Sequence, residues 1–389
     1  MRARPAGTAE RAARAGGPHA AGNPAFPVAA GPSPPRLAGD VVASWLAGRV
    51  VVAAALALAH FVSGQARIPS TGLLGWDAAY YRDVAERGYA GVGREALRFF
   101  PLVPLLTRGL GVGTHAGVVL LVLVNAAALL YAAVLVRLAW VEGLGGPAAA
   151  RAVWLLALAP PAFVLVMGYS EAVWGVLAAG VFLGLRTRRW ELAACAGLLA
   201  GLCRPVGVLL AAPAAVEAAR GIRGASAGQR LRRVPAVLAA PAGVAAYLLW
   251  VGAVHGDPWL PLRLQRAAAA HGATTDPLRV VLDAARGTLH GRLGTGLHVP
   301  WLLVCVVLVV VMARRLPASY TVWSALTLAA VLSGSNLDSL ERYAFGAFPF
   351  VLVAAVLLRR RTSWWLALVA STALLAGYAT LAFLLFYVP

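Results

Sequence analysis

The chain contains no lysine: its 34 basic residues are all arginine, set against only 15 acids and 3 cysteines in 389 residues. Charged residues make up 13% of it, about half of the roughly 25% usual in soluble domains, which excludes an ordinary soluble globular protein. Cys195, Cys203 and Cys305 all fall in apolar segments and lack metal-ligand spacing, so they read as small buried hydrophobes. No internal repeat is evident.

What fills the chain instead is apolar: 60% hydrophobic residues and a mean hydropathy of +0.76. Runs near the ~20 residues that span a roughly 30 Å hydrocarbon layer recur throughout. They place spans at about 43–62, 115–139, 150–167, 171–185, 234–254, 298–313, 319–333, 343–358 and 364–388. The segment 190–219 is apolar but broken at Arg204-Pro205, where a helix breaker meets an arginine, and reads as two short helices. The expectation is an all-α polytopic membrane protein of about 11 transmembrane helices, because backbone polar groups in lipid must be satisfied within each segment. Residues 1–40, rich in Ala, Gly, Pro and Arg, are expected to form a disordered basic tail ahead of a membrane domain over 41–389. The first apolar stretch begins too late for a cleavable signal.

The arginines sort by side. Clusters at Arg2 to Arg14, Arg186 to Arg189, Arg220 to Arg233, Arg314-Arg315 and Arg359 to Arg361 all fall on one side of the proposed spans. The positive-inside rule makes that side, and with it the N-terminus, cytoplasmic. It holds roughly two thirds of the arginines and one third of the acids. The net charge of +19 therefore encodes topology, and nucleic acid is not an expected partner. The other side receives loop 63–114, the turn Gly168-Tyr169-Ser170-Glu171, the Arg204-Pro205 break, the segment 255–297 and the stretch Asn336 to Arg342. Every unusual polar feature is thus expected at one membrane face, where a surface active site would need it.

The densest of these features is Trp76 to Tyr89, WDAAYYRDVAERGY, which places Asp77, Asp83 and Glu86 close together in an acid-poor chain. A scarce acidic cluster flanked by Trp and Tyr is a candidate for carbohydrate chemistry. On a helix Asp77 shares a face with Tyr80, Tyr81, Val84 and Gly88. Asp83 stands about 240° around from Asp77, free to form solvated pairs with Arg82 and Arg87 beside Glu86. Asp77 at the helix start has a plainer alternative as an N-cap. Glu171 has one too, in the first turn of a helix capped by Ser170. A serine-hydrolase reading of Gly168-Tyr169-Ser170 fails because Ala172 stands where the pattern needs glycine. Arg204 reads either as a buried ion-pair partner or as snorkelling to the interface.

Taken in order, Trp76-Asp77, Tyr81, Val84-Ala85, Gly88-Tyr89 and Phe99-Phe100-Pro101-Leu102 with Pro104-Leu105 resemble the signature of PIG-V-type mannosyltransferases. Tyr169-Ser170-Glu171, Arg204-Pro205 with Gly207, Gly256-Asp257-Pro258 with Gln265, Arg342-Tyr343 and Phe348-Pro349 continue the resemblance across about 70–350. Val84 and Val103 depart from it, where isoleucine and an aromatic are usual. The arginine, alanine and glycine content without lysine points to a GC-rich bacterium. The family is similar to the GT-C glycosyltransferases, multi-span enzymes with a catalytic first outer loop. The resemblance implies a GT-C-like bundle at the bacterial plasma membrane with an extracytoplasmic site. It implies transfer of a mannosyl or other hexosyl group, with inversion, from polyprenyl-phosphate-mannose as lipid-linked co-substrate to a glycan, glycolipid or protein acceptor. Asp77 matches the family's catalytic acid and is the expected general base. Trp76, Tyr80 and Tyr81 are expected to face the sugar, and Arg98, Arg204 or Arg342 the departing phosphate, with Asp83 and Glu171 completing the substrate site. No metal ligands are assigned, and dependence on a divalent metal is left open, as is the oligomeric state. A transporter or lipid flippase is the alternative; it calls for ionisable residues near the bilayer midplane and for repeats. A non-catalytic subunit with a decayed site is a third reading, against which the intact Asp77 stands.

Overall fold

The computed structural model describes residues 34–63, 72–111, 115–267, 272, 274–289, 298–335, 337 and 339–386. The residues expected as a tail up to 33, and Asn336, lie outside this set. Among the described residues the protein is all-helical, with a single isolated bridge between Thr274 and Gly334. Five helices are long and apolar enough to cross a membrane: Arg36–Ser63, Ala116–Val141, Ala227–His255, His298–Arg315 and Arg361–Phe383. Shorter apolar helices Gly146–Leu158, Trp190–Cys203, Pro205–Ala219 and Ala318–Val331 pack among them. This is a multi-pass helical membrane protein.

In chain order the α-helices used below are α1 (Pro34–Ser63), α2 (Asp77–Arg87), α3 (Leu102–Leu110), α4 (Ala116–Val141), α5 (Gly146–Leu158), α6 (Glu171–Arg186), α7 (Trp190–Cys203) and α8 (Ala211–Ala219). They continue as α9 (Ala227–Leu231), α10 (Val234–His255), α11 (Leu260–Gln265), α12 (Pro277–Leu289), α13 (His298–Arg315), α14 (Ala318–Val331), α15 (Leu340–Phe345), α16 (Pro349–Leu357) and α17 (Arg361–Phe383). α1 begins at Pro34, so 34–40 extend the first span instead of the tail, and Asp40 Oδ1 ties that end to α5 by accepting from Trp154 Nε1 at 3.1 Å.

Two expected spans are broken. The stretch expected at 150–167 leaves the α-helix at Leu158, turns through the 3-10 segment Pro160–Leu165 and restarts at Glu171. Pro160-Pro161 removes two backbone donors, which ends the regular ladder. The stretch expected at 343–358 is divided into α15 and α16 at Gly346–Phe348, with Pro349 opening the second helix, where its missing N–H costs no hydrogen bond. Trp174 Nε1 donates to the carbonyl of Gly346 at 3.1 Å. Arg204 adopts an extended backbone between α7 and the 3-10 segment Pro205–Leu210, as the Arg-Pro break anticipates.

Helix contact relies on small residues, because lipid supplies no hydrophobic drive between apolar helices and close approach must supply dispersion instead. Among the described helices α7 and α10 make the broadest contact. A Cβ on Gly201 would lie 2.2 Å from the Ala240 carbonyl oxygen, and one on Gly243 2.2 Å from that of Leu198. At the arginine-rich end, four helix ends are knotted by charge. Glu142 accepts from Arg186 Nε at 2.7 Å and from the Tyr320 hydroxyl at 2.8 Å, while Glu217 accepts from Arg186 Nη1 at 3.1 Å and from the Ser319 hydroxyl at 2.6 Å.

Candidate functional site

The opposite end carries the segment singled out by sequence. Residues 77–87 form α2 as the apolar spacing predicts, with Ala78, Tyr81, Val84 and Ala85 buried. Its first residue is Asp77, and the residue before it, Trp76, takes φ +55° and makes no side-chain cap. The capping alternative for Asp77 is therefore corrected: its carboxylate serves a partner far away in sequence. Arg342 Nη1 donates to Asp77 Oδ2 at 2.6 Å. Among the described residues Arg342 is the one side chain that bonds this carboxylate, and Oδ1 carries no hydrogen bond.

Behind that pair lies a chain of charges. Arg342 Nε is 3.7 Å from Glu171 Oε1, and Arg204 Nη1 donates to the same oxygen at 2.9 Å. The side chains of Glu171 and Arg342 are 3% and 5% exposed, while that of Asp77 is 33% exposed. Two carboxylates and two guanidiniums cancel in formal charge, which permits their burial. Asp77 is the member that opens to the surroundings.

Aromatic groups hold the array. The Tyr81 hydroxyl donates to Ser170 Oγ at 2.9 Å, so Ser170 precedes α6 without capping it through its side chain. The Tyr169 hydroxyl accepts from the Asp77 backbone N–H at 3.4 Å, and its ring lies 5.4 Å from the Arg342 guanidinium. Arg342 Nη2 donates to the Tyr343 hydroxyl at 2.7 Å, and the Tyr343 ring lies 5.6 Å from the Arg204 guanidinium. Burial pushes the Tyr81 and Tyr169 phenols well above their ordinary range, so both keep their protons.

The other expected residues divide. Trp76 is fixed by donating from Nε1 to the Ala382 carbonyl at 3.0 Å. Tyr80 stacks on Phe99 with ring centres 4.6 Å apart, and the Arg98 guanidinium lies 5.8 Å from the Tyr80 ring. Among the described residues Arg98 has one acidic neighbour, the more exposed Glu95, at 3.5 Å. Asp83 stands apart from the charge chain: Arg82 holds one of its oxygens at 2.7 Å and Arg87 the other at 2.7 Å. Asp257 closes locally on Arg263 and on the backbone of Trp259. Tyr247 of α10 ties the first loop down by donating to the Leu97 carbonyl at 3.0 Å and packing its ring 4.5 Å from that of Phe100, while within the loop Tyr89 donates to the Phe99 carbonyl at 2.5 Å.

Sequence reading passed over several polar residues. His298 Nδ1 lies 2.8 Å from both oxygens of Glu341, next to Arg342, and both side chains are buried. Arg49 and Asn125 sit inside membrane spans, so the expectation that every unusual polar feature gathers at one face does not hold; nor does it for Glu142 and Glu217. Each lone polar residue in an otherwise apolar run was visible in sequence, but its partner was not. Among the described residues no group of three or more His, Cys, Asp or Glu side chains is arranged to hold a metal ion.

No protein-family model matches the chain, and no curated protein matches it. Among solved structures it is similar to the Archaeoglobus fulgidus oligosaccharyltransferase, whose crystal structure holds a tethered acceptor peptide containing the NVT sequon. The two are 12% identical with a TM-score of 0.42, over 86% of this chain and 55% of that one, so the chain spans about half the length of the structure it matches. Likeness at that level carries no argument about chemistry.

Proposed function

We propose that the protein is a GT-C-type membrane glycosyltransferase that moves a mannosyl or other hexosyl group from a polyprenyl-phosphate sugar to an extracytoplasmic acceptor. The observation that supports this reading best is the Asp77 carboxylate: partly exposed, oriented through Oδ2 by a buried arginine, with Oδ1 unbonded among the described residues. A hydroxyl acceptor is a weak nucleophile, and a positioned carboxylate takes its proton as it attacks. In this mechanism the acceptor oxygen bonds to the anomeric carbon from the face opposite the phosphate, and the anomeric configuration inverts. The acceptor proton passes to Asp77, and the electron pair of the breaking C–O bond leaves with polyprenyl phosphate.

The leaving group gains negative charge, so a guanidinium beside it lowers the barrier. Arg204 and Arg342 are engaged by Glu171 and Asp77, whereas Arg98 is held by one exposed acid and lies over Tyr80. We assign the phosphate to Arg98 and the sugar face to Tyr80 and Trp76. The acceptor is a glycan, glycolipid or protein, and the arginine-rich end is assigned to the cytoplasm of a bacterial plasma membrane.

The test uses purified protein in liposomes with radiolabelled polyprenyl-phosphate-mannose, then polyprenyl-phosphate-glucose, and a panel of hydroxyl acceptors. Wild type transfers label, and Asp77→Asn, folded by size-exclusion profile, loses at least about 100-fold in kcat. Full transfer by Asp77→Asn removes the general-base role; no transfer by wild type from either donor removes the whole reading.

A further inference from the structure

The break in the bundle that delivers Glu171 to the site is held from within the membrane. Arg49 stands midway along α1, and Asn125 within α4. Their targets lie in the stretch after Pro160-Pro161, where carbonyls lack helical partners. Arg49 Nη2 donates to the Leu165 carbonyl at 3.0 Å and Asn125 Nδ2 to that of Val166 at 3.1 Å. The two side chains are joined, Arg49 Nε donating to Asn125 Oδ1 at 2.9 Å. Arg49 Nη1 also donates to the Trp45 carbonyl at 3.2 Å, and the Trp45 ring lies 4.4 Å from the guanidinium. Trp45 Nε1 closes the group by donating to the Asn125 carbonyl at 2.9 Å.

An arginine inside a span is costly and needs a reason. Among the described residues Arg49 forms no ion pair, so neutralising a buried acid is not that reason. All three of its nitrogens are spent on acceptors, two of them outside its own helix. A carbonyl left unpaired in hydrocarbon is strongly unfavourable because neither water nor lipid tails can satisfy it, which is the demand Arg49 and Asn125 meet. The segment then runs in a few residues to Tyr169, which contacts the Asp77 backbone, to Ser170, bonded by Tyr81, and to Glu171, bonded by Arg204. Gly168 N–H donates to the Leu73 carbonyl just ahead of α2 at 2.9 Å, and a Cβ on Gly168 would lie 3.1 Å from that of Ala78. The polar group in the membrane and the charge chain at its face thus hold opposite ends of one short irregular strand of chain.

We propose that Arg49 and Asn125 are positioning residues of the Asp77 site, fixing the depth and rotation of 163–171 so that Tyr169, Ser170 and Glu171 meet α2. The kinetic part of this inference rests on the transferase reading above; the structural part does not. Arg49→Met and Asn125→Leu are compared with wild type by hydrogen–deuterium exchange and by steady-state transfer. Exchange is expected to rise within 163–173 and to stay unchanged in α7 and α10. kcat is expected to fall at least about 30-fold with the donor KM within threefold, because displacement of a catalytic array by about 1 Å costs on the order of 100-fold. The double variant should lose little more than the worse single one, since both act through one segment. Unchanged exchange at 163–173, a rise spread over the whole bundle, or a folded Arg49→Met with wild-type kcat overturns the proposal. If Arg49→Met does not insert, Asn125→Leu alone makes the same comparison without altering charge. A wild type that transfers no sugar removes the transferase reading, while the exchange result still decides whether the two residues hold the segment.

Discussion

Trp76 enters φ +55° and Ser339 φ +63°, conformations that L side chains rarely adopt. Each costs of order 1–3 kcal/mol and persists only where surrounding contacts demand it. One lies immediately before Asp77 and the other three residues before Arg342, so the two partners of this ion pair are both launched from strained turns. Removing one member of the buried chain leaves an uncompensated charge, at a cost of about 3–5 kcal/mol. Glu171→Gln and Arg204→Met are therefore each expected to lower the thermal midpoint in detergent, and the double variant to recover part of that loss. Additive losses would show that the pair is not coupled. Arg98→Ala should leave the midpoint unchanged within error and reduce kcat by about 100- to 1000-fold, the usual effect of deleting one donor to developing negative charge. A normal kcat in that variant would return the phosphate to Arg204 or Arg342.

The helices meet where side chains are smallest. At the α7–α10 crossing the atoms facing Gly201 are backbone atoms of Ala240, Gly243 and Val244, which cannot move aside as a flexible side chain could. Gly201→Leu is expected to prevent this contact and sharply reduce the yield of monodisperse protein. Gly377→Ala, whose Cβ would meet nothing within 4 Å, is the matched control. Fluorescence-detected size exclusion of the two side by side makes the comparison, and a normal profile for Gly201→Leu would mean the helices can separate without loss. Hydrophobic runs made the long helices legible, since length and apolarity are properties of a segment alone. α2 was legible too, because Asp77, Tyr80, Tyr81, Val84 and Gly88 fall at helical spacing, although the face the fold buries is Ala78, Tyr81, Val84 and Ala85. The breaks were only half legible. Pro205 marked one, but Pro160-Pro161 and Pro349 lay inside runs apolar enough to read as continuous spans.

Across the whole molecule, the arginine bias and the charge knot of Glu142, Arg186 and Glu217 mark one end of the bundle, while Asp77 and its partners mark the other. In a cysteine-free background, Ala90→Cys near α2 should react with an impermeant maleimide on intact cells, and Ala227→Cys at the start of α9 only after permeabilisation. The reverse pattern would invert the orientation and place the site in the cytoplasm. Asp77 could be singled out in sequence because helical geometry separates it from Asp83 and Glu86. That Glu171, Arg204 and Arg342 would join it in one chain of charges was a suggestion of their shared side. Which acid meets which arginine depends on packing between residues 33 positions apart for Glu171 and Arg204 and 265 for Asp77 and Arg342, and periodicity carries no such information.

The bond from Trp76 Nε1 to the Ala382 carbonyl joins residues 306 positions apart in sequence. During synthesis the segment bearing Asp77 emerges early, and α17 follows only after nearly all the intervening helices have been made. Until α17 has inserted, the residue ahead of Asp77 lacks the clasp that fixes it, and Arg342 has only recently been supplied. The nascent protein therefore passes through the membrane-insertion machinery with the Asp77 carboxylate unassembled, and the charge chain closes as one of the last events of its biogenesis.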